Sequence, residues 1–440
     1  MEGLPRVCVI GAGSSGIAAV KALHERGIPF DCFEASDRVG GIWVFGNRNG
    51  MSSAYRSLHI NTSRARMEFS DFPMPATYPD FPHHSHIAAY FDAYVDHFGL
   101  RERITFETLV TRAAPRPDGG WDVTTDGGGT RAYDALVVAN GHHWDPRWPE
   151  PAFPGSDDFA GVLMHSHQYT GEDPALFRDR DVVVLGMGNS AMDIAVESSF
   201  VARHTYLAAR RGAWVVPKYV FGRPLDSLPM SARVPYAVRR RVQAAALRVM
   251  VGEMTRYGLP APDHPFGAAH PTVSDDILSR IAHGEIVPKP NIAALGERSV
   301  RFADGTEEDA DVVVLCTGYK VTFPFLDPEL VSAPGNDLPL FKRVFHPDVP
   351  GIYFVGLLQP LGAVMPLAEL QSQWICDHLA GAYALPPDGE LRADMARERA
   401  AMFRRYVASP RHTMQVDFED YVLAVRRERR RGEHRATAAA

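Results

Sequence analysis

Two glycine-rich loops and a repeated strand pattern predict an α/β protein with two nested Rossmann-like dinucleotide-binding domains. The loops are Gly11-Ala12-Gly13-Ser14-Ser15-Gly16 and Gly186-Met187-Gly188-Asn189-Ser190-Ala191, about 175 residues apart. Each follows a short apolar run and precedes a stretch at helical spacing, the setting that separates a dinucleotide fingerprint from a chance match. The runs at 133–141 and 311–319 both read as buried strands ending at Asn-Gly or Thr-Gly. That pairing suits a chain that crosses from one nucleotide-binding domain into another and back.

The first unit opens with Val7-Cys8-Val9-Ile10, fully apolar and suited to a parallel sheet buried on both faces. Gly11 permits the tight turn, Gly13 the approach of backbone to a diphosphate, and Gly16 close helix–sheet packing. Ser14 and Ser15 start the helix whose N-terminus receives the diphosphate. The second strand, 30–34, ends in Glu34. A carboxylate there accepts hydrogen bonds from a ribose 2′-OH and disfavours a 2′-phosphate, so this site suits FAD or NAD(H).

The second unit repeats the plan. Asp181-Val182-Val183-Val184-Leu185 leads into Gly186 and Gly188, with Asn189 and Ser190 at the helix start and Ala191 in the permitted third position. Its second strand ends in Arg210-Arg211. A guanidinium pair matches the charge and geometry of a 2′-phosphate, which points to NADPH. The expected division is an FAD domain at 1–158 and 293–440, closing in a C-terminal helical tail, with an NADPH domain at 159–292 inserted into it. The segment 215–284, rich in Pro, Arg and short helical pieces, gives no readable fold.

Composition narrows the class. Hydrophobic residues make up 45% and charged residues 22%, which permits large globular cores. A net charge of -7 argues against nucleic acid as the main partner. Cys8, Cys32, Cys316 and Cys376 form no C-x-x-C pair, so disulfide, zinc and dithiol chemistry lose support; the first three read as small core residues. No apolar run is long enough to span a bilayer and none reads as a signal peptide, so a cytoplasmic protein without membrane attachment is expected. The basic run Arg426-Arg427-Glu428-Arg429-Arg430-Arg431 reads as a frayed, solvated terminus.

Just ahead of the second loop, Phe159-x-Gly161-x-x-x-His165-x-x-x-Tyr169 resembles the identifying sequence of the flavin-containing monooxygenases. The runs at 34–43, 58–63, 69–73, 271–276, 356–362, 369–371 and 413–417 also resemble segments of that family, so the resemblance spans nearly the whole chain. It implies FAD and NADPH as cofactors and O2 with a small molecule as substrates. A homodimer is a further expectation. Reduced flavin would form a C4a-hydroperoxyflavin and oxygenate soft nucleophiles such as amines, sulfides or indole.

By the same resemblance Asn61 is the candidate catalytic residue, a flavin-facing amide that also contacts the nicotinamide. Gly41, Trp43, His59, Thr62 and Gln371 are further candidate cofactor contacts. Tyr169 stands where the Baeyer–Villiger relatives place tryptophan, which favours heteroatom oxygenation. Baeyer–Villiger or indole-3-pyruvate-type chemistry, or a flavin-dependent NAD(P)H oxidase or reductase, stays open as the alternative. His165 and His167 read as architectural, since this chemistry needs no strong base and no carboxylates accompany them as metal ligands.

Overall fold

The computed structural model describes residues 3–227, 236–406 and 413–439; part of the unreadable 215–284 segment, 228–235, lies outside them. In chain order the elements that matter here are β1 (Val7–Ile10), α1 (Ser14–Glu25), β2 (Phe30–Phe33), β3 (Ile104–Thr105) and β4 (Ala135–Val138). They continue with β5 (Val162–His165), β6 (Asp181–Leu185), α2 (Asn189–Ser199), β7 (His204–Ala209), β8 (Val287–Pro290) and β9 (Val312–Leu315). The remainder are β10 (Ile352–Phe354), β11 (Gln359–Leu361), α3 (Met365–Leu379), β12 (Gln415–Asp417) and α4 (Phe418–Ala439).

Contacts divide the chain into two compact units. One comprises the described residues of Met1–Ala54, Leu58–Asp145 and Lys320–Ala440; the other comprises Tyr55–Ser57 and Pro146–Tyr319. The second unit is therefore wider than the expected 159–292. The reason is pairing that periodicity does not encode. β9 lies between β6 and β5 in the second sheet, and the antiparallel strands Ile292–Leu295, Ser299–Phe302 and Glu307–Asp309 lead into it. Their residues Ile292, Val300 and Phe302 share a core with Val183, Leu185 and Val313.

Each unit is built on a five-stranded parallel sheet. The first runs β10–β4–β1–β2–β3, the second β8–β7–β6–β9–β5. In register, Val9 faces Cys32 on one side and Val137 on the other, so the central strand is apolar on both faces. One face of the first sheet is covered by α1 and α3, whose Ile17, Val20, Ala368 and Trp374 are buried with Val7 and Val9. The other face packs on Trp121, Val123, Phe323 and Leu338. Because all strands of a sheet run the same way, both glycine loops emerge at a carboxyl edge, where parallel α/β sheets bind ligands.

The C-terminal tail corrects the sequence expectation. Residues 426–431 do not fray; they lie inside α4, which continues to Ala439. Arg429 Nε donates to the buried Asp377 at 3.1 Å, and the Tyr383 hydroxyl donates to Glu428. A Cβ on Gly432 would fall 1.9 Å from the Tyr383 ring, so the helix is seated tightly there. The run looked solvated because its partners lie some fifty residues earlier, and arginine stems bury well while their heads find acids. Among the described residues no helix is long and apolar enough to cross a membrane.

All four cysteines are free. Cys8 and Cys32 are fully buried, while Cys316 at the end of β9 is only partly so. Burial pushes the thiols of Cys316 and Cys376 up to about 12, leaving neither a reactive thiolate.

Candidate cofactor sites

In the first unit the loop is shaped by what cannot be there. Gly11 has φ +97°, a region that L side chains rarely adopt, and a Cβ on it would meet the Ala139 carbonyl oxygen at 2.8 Å. A Cβ on Gly16 would fall 1.9 Å from the Gly11 carbonyl oxygen. These two glycines let α1 start directly against the end of β1. Gly13 caps α1 with extended backbone and no side-chain acceptor, so the amides of the first turn around Ser14 and Ser15 are presented without a competing cap. Gly41, φ +56°, passes close by: a Cβ on it would lie 3.2 Å from the Gly13 Cα. Trp43 ends the short helix that Gly41 begins and is partly buried against the α1 core.

Glu34 follows β2 and is 5% exposed. One carboxylate oxygen accepts from the Ala12 amide at 2.6 Å, the other from the Ser36 amide at 2.8 Å. Burial raises its pKa, and the backbone donors of Ala12, Ser36 and Ala35 pull the other way. The carboxylate is thus tied to the loop itself, and with three amide donors on about four lone pairs it keeps an acceptor position for a ribose hydroxyl.

Asn61 and Thr62 form a bend after the exposed His59, whose ring lies 5.0 Å from that of His83. Backbone bonds from Ile60 to Pro82 and from Arg64 to Asp80 fix the bend. The half-buried Asn61 amide has no hydrogen-bond partner among the described residues. Gln371 differs in kind. It is fully buried on α3, its oxygen accepting from the Gly356 amide at 2.9 Å and its nitrogen donating to the Tyr421 hydroxyl at 2.7 Å. Those bonds make Gln371 a support of the Gly356 turn, which presses on Ser15: a Cβ on Gly356 would fall 1.9 Å from the Ser15 Oγ.

The second loop follows the same rules with a looser fit. Gly186 has φ +142°, and a Cβ on it would meet the Cys316 carbonyl oxygen at 2.8 Å. Gly188 caps α2, again without a side-chain acceptor, and Ser190 sits in the first turn. Asn189 is committed elsewhere, its side-chain oxygen accepting from the Val273 amide at 2.9 Å. Thr272, which the sequence placed in a family-like run without a role, donates its hydroxyl to the Met187 carbonyl. The two bonds moor the short strand Thr272–Val273 to the loop, and nothing in the local sequence signals them.

Arg210 and Arg211 follow β7 and are exposed. Arg211 is paired with Asp263 at 2.6 Å, whereas the Arg210 guanidinium has no ion-pair partner among the described residues. The pair is therefore unequal, with Arg210 the one free to meet a phosphate.

The segment between the loops is structural. His165 is buried, and its Nδ1 accepts from the His167 amide while the Gln168 side chain accepts from the His165 amide, closing a capping box. Burial lowers the His165 pKa to about 4. The Tyr169 and Ser57 hydroxyls both donate to Glu197 on α2, and Tyr55 donates to Asp193 one turn earlier. Burial pushes Asp193 up to about 6. These acids, also unflagged by the sequence, hold 55–57 and 169 on the helix that starts at the nucleotide loop. Among the described residues no cluster of His, Cys, Asp and Glu could hold a metal ion.

The residues present fit the two groups that the loops imply: helix starts without side-chain caps behind turn glycines that leave no room for a Cβ, an acid at one second-strand end and an arginine with no ion-pair partner among the described residues at the other. A protein so built is a two-dinucleotide oxidoreductase, taking electrons from a nicotinamide nucleotide into a flavin. The chain matches the family described as flavin-binding monooxygenase-like over residues 5–428. It is 38% identical over 434 residues to flavin-containing monooxygenase 5 of Rattus norvegicus, covering 94% of this chain and 81% of that one. It is 35% identical over 437 residues to dimethylaniline monooxygenase [N-oxide-forming] 2 of the same species, covering 95% and 81%. Among solved structures, S-allyl-L-cysteine S-oxygenase from Allium sativum superposes with a TM-score of 0.72 at 27% identity, covering 96% of this chain and 88% of that one. The chain belongs to the flavin-binding monooxygenase-like family, and it is an FAD-containing, NADPH-dependent monooxygenase.

Proposed function

We propose that this monooxygenase places one oxygen atom of O2 on nitrogen or sulfur of small soft nucleophiles: amines, sulfides and indole-like compounds. The balance is substrate, O2, NADPH and a proton giving the oxygenated substrate, water and NADP+. The observation that carries the reading is the pair of preformed loops whose second strands end differently, in Glu34 and in Arg210. Nitrogen and sulfur as acceptors are supported by the names of the relatives, one N-oxide-forming and one an S-oxygenase.

The chemistry FAD supplies when bound is hydride acceptance from NADPH and activation of O2. The chain's own residues do the rest. Gly11, Gly13 and Gly16 let backbone amides reach the FAD diphosphate, and Glu34 holds the ribose. Gly186 and Gly188 do the same for NADPH, with Arg210 on its 2′-phosphate. The Asn61 amide, with no protein partner among the described residues, would offer hydrogen bonds beside the bound flavin and help limit the loss of reducing equivalents as H2O2, the hazard of any such site open to water. A cytoplasmic location is part of the proposal and is checked by cell fractionation.

The deciding experiment measures NADPH consumption, product and H2O2 across small amines, thioethers, indole and cyclic ketones. N-oxides or sulfoxides formed in step with NADPH support the reading. Lactones as the main product overturn it for Baeyer–Villiger chemistry, and H2O2 equal to NADPH with every compound overturns it for an oxidase.

A further inference from the structure

The described residues of the C-terminal segment hold the Gly356 turn from three directions. β12 pairs in parallel with β11, Gln359 opposite Gln415, and the Gln359 amide donates to the Met414 carbonyl at 2.9 Å. Gly362, φ +138°, closes the same strand against Phe418, where a Cβ would lie 3.1 Å from the Phe418 Cβ. The third hold is a buried relay: the Tyr421 hydroxyl donates to the Lys342 carbonyl at 2.6 Å and accepts from Gln371 at 2.7 Å, and Gln371 accepts from the Gly356 amide at 2.9 Å. Tyr421 is 4% exposed and Gln371 fully buried, so no water substitutes for a missing partner without opening the core.

Lys342 is itself fixed, its ammonium 2.5 Å from Asp394 and 3.2 Å from Glu398. The far end of the relay is the first turn of α1. Gly356 abuts Ser15 so closely that a methyl group there has no room.

We propose that Tyr421 is a positioning residue for the flavin site: through Gln371 it holds the Gly356 turn against Ser15, so that docking of the C-terminal segment and binding of FAD are one coupled equilibrium. The hydroxyl's role is to lock Gln371. A free amide rotates, and the Gly356 amide then loses its acceptor. Coupling of this kind is reciprocal, so whatever docks the segment tightens FAD, and FAD tightens the segment. The inference rests on FAD occupying the first loop, as the proposed function does, but not on which substrate is oxygenated.

The test titrates FAD into stripped full-length protein. Tyr421→Phe keeps the ring and removes the hydroxyl; Val425→Ala, fully buried one turn further along α4, weakens packing without touching the relay. The expected result is an FAD Kd raised about tenfold in Tyr421→Phe with an altered bound-flavin absorption spectrum, whereas Val425→Ala, which loosens the segment but keeps the relay, should raise the Kd less and leave the spectrum unchanged. In a cycle with Gln371→Leu, the double variant should bind FAD no worse than Gln371→Leu alone. A Tyr421→Phe protein with wild-type Kd and spectrum overturns the inference, as does an additive cycle. Should Tyr421→Phe fail to fold, the wild-type protein decides: FAD must slow amide exchange across 415–421, and unchanged exchange overturns the coupling. A wild-type protein that binds no FAD would instead overturn the assignment of the first loop.

Discussion

Gly16→Ala isolates the geometry of the first loop in a single methyl group. Alanine is the better helix former by about 1 kcal/mol, so propensity alone predicts stabilisation. The structure predicts the opposite. The new Cβ would lie 1.9 Å from the Gly11 carbonyl oxygen, and real Cβ atoms essentially never approach closer than 3.0 Å. The start of α1 must therefore move by about an ångström relative to Gly11, both of them backbone with no flexible side chain to yield. Overpacking of this kind costs about 1–3 kcal/mol, more than the propensity gain. The displaced turn carries the amides offered to the FAD diphosphate. A hydrogen bond to a charged group contributes about 1.5–3 kcal/mol, so losing one raises the FAD Kd at least tenfold. Titration of stripped protein with FAD, followed by flavin fluorescence, measures this, with circular dichroism confirming the fold. The second loop supplies the control. Ala191 already occupies the equivalent place, with its Cβ 3.3 Å from where a Gly186 Cβ would stand, so Ala191→Gly should leave NADPH affinity within about threefold. A Gly16→Ala protein that binds FAD with wild-type Kd would refute the argument from close approach.

Removing Arg210 should raise the NADPH KM at least about tenfold while moving that for NADH little, since one charge-assisted bond to phosphate is lost. Arg211→Ala should do less, because Asp263 already holds that guanidinium; equal effects on NADPH and NADH from either variant would exclude 2′-phosphate recognition here. Asn61→Ala should keep FAD bound while H2O2 release rises severalfold at the expense of product, and unchanged coupling would remove its catalytic role. For His165 the folded pKa of about 4 lies below the ordinary 6.5, so the neutral form is the one the fold favours. Its contribution is complete above pH 6.5 and is lost as pH falls toward 4. In urea unfolding, His165→Asn should lessen the loss of stability between pH 7 and 5, and its activity profile above pH 7 should match wild type; a shifted profile would make the histidine catalytic.

What the sequence shows most plainly are requirements of the backbone. Gly11, Gly16 and Gly186 are legible because each stands where a Cβ has no room, and their spacing against a strand and a helix is a local pattern. The apolar strands β1, β4, β6 and β9 are legible for the same reason, being buried on both faces. The place of β9 in its sheet is not, since parallel pairing with β6 brings together residues 130 positions apart, as Val182 and Val312 show. The extension of the second unit to Tyr319 follows from that one pairing.

Side-chain roles divide along the same line. Glu34 and Arg210 are legible as candidates because each stands at the end of a second strand, where this fold places the ribose of a dinucleotide. Arg211 looked equivalent to Arg210 until Asp263, 52 residues away, took its charge. Gln371 looked like a flavin contact, yet its amide spans from Gly356 to Tyr421, 15 residues back and 50 forward. A polar residue in a buried helix must satisfy its hydrogen bonds within the core or at a ligand, and the sequence does not say which. Gln371 answers it within the core, while Asn61, half-buried in a bend, is not bound by that rule. The Gln371 amide is committed to Gly356 and Tyr421, whereas the Asn61 amide has no protein partner among the described residues, which is why the Asn61→Ala measurement of H2O2 release is the test of its proposed role.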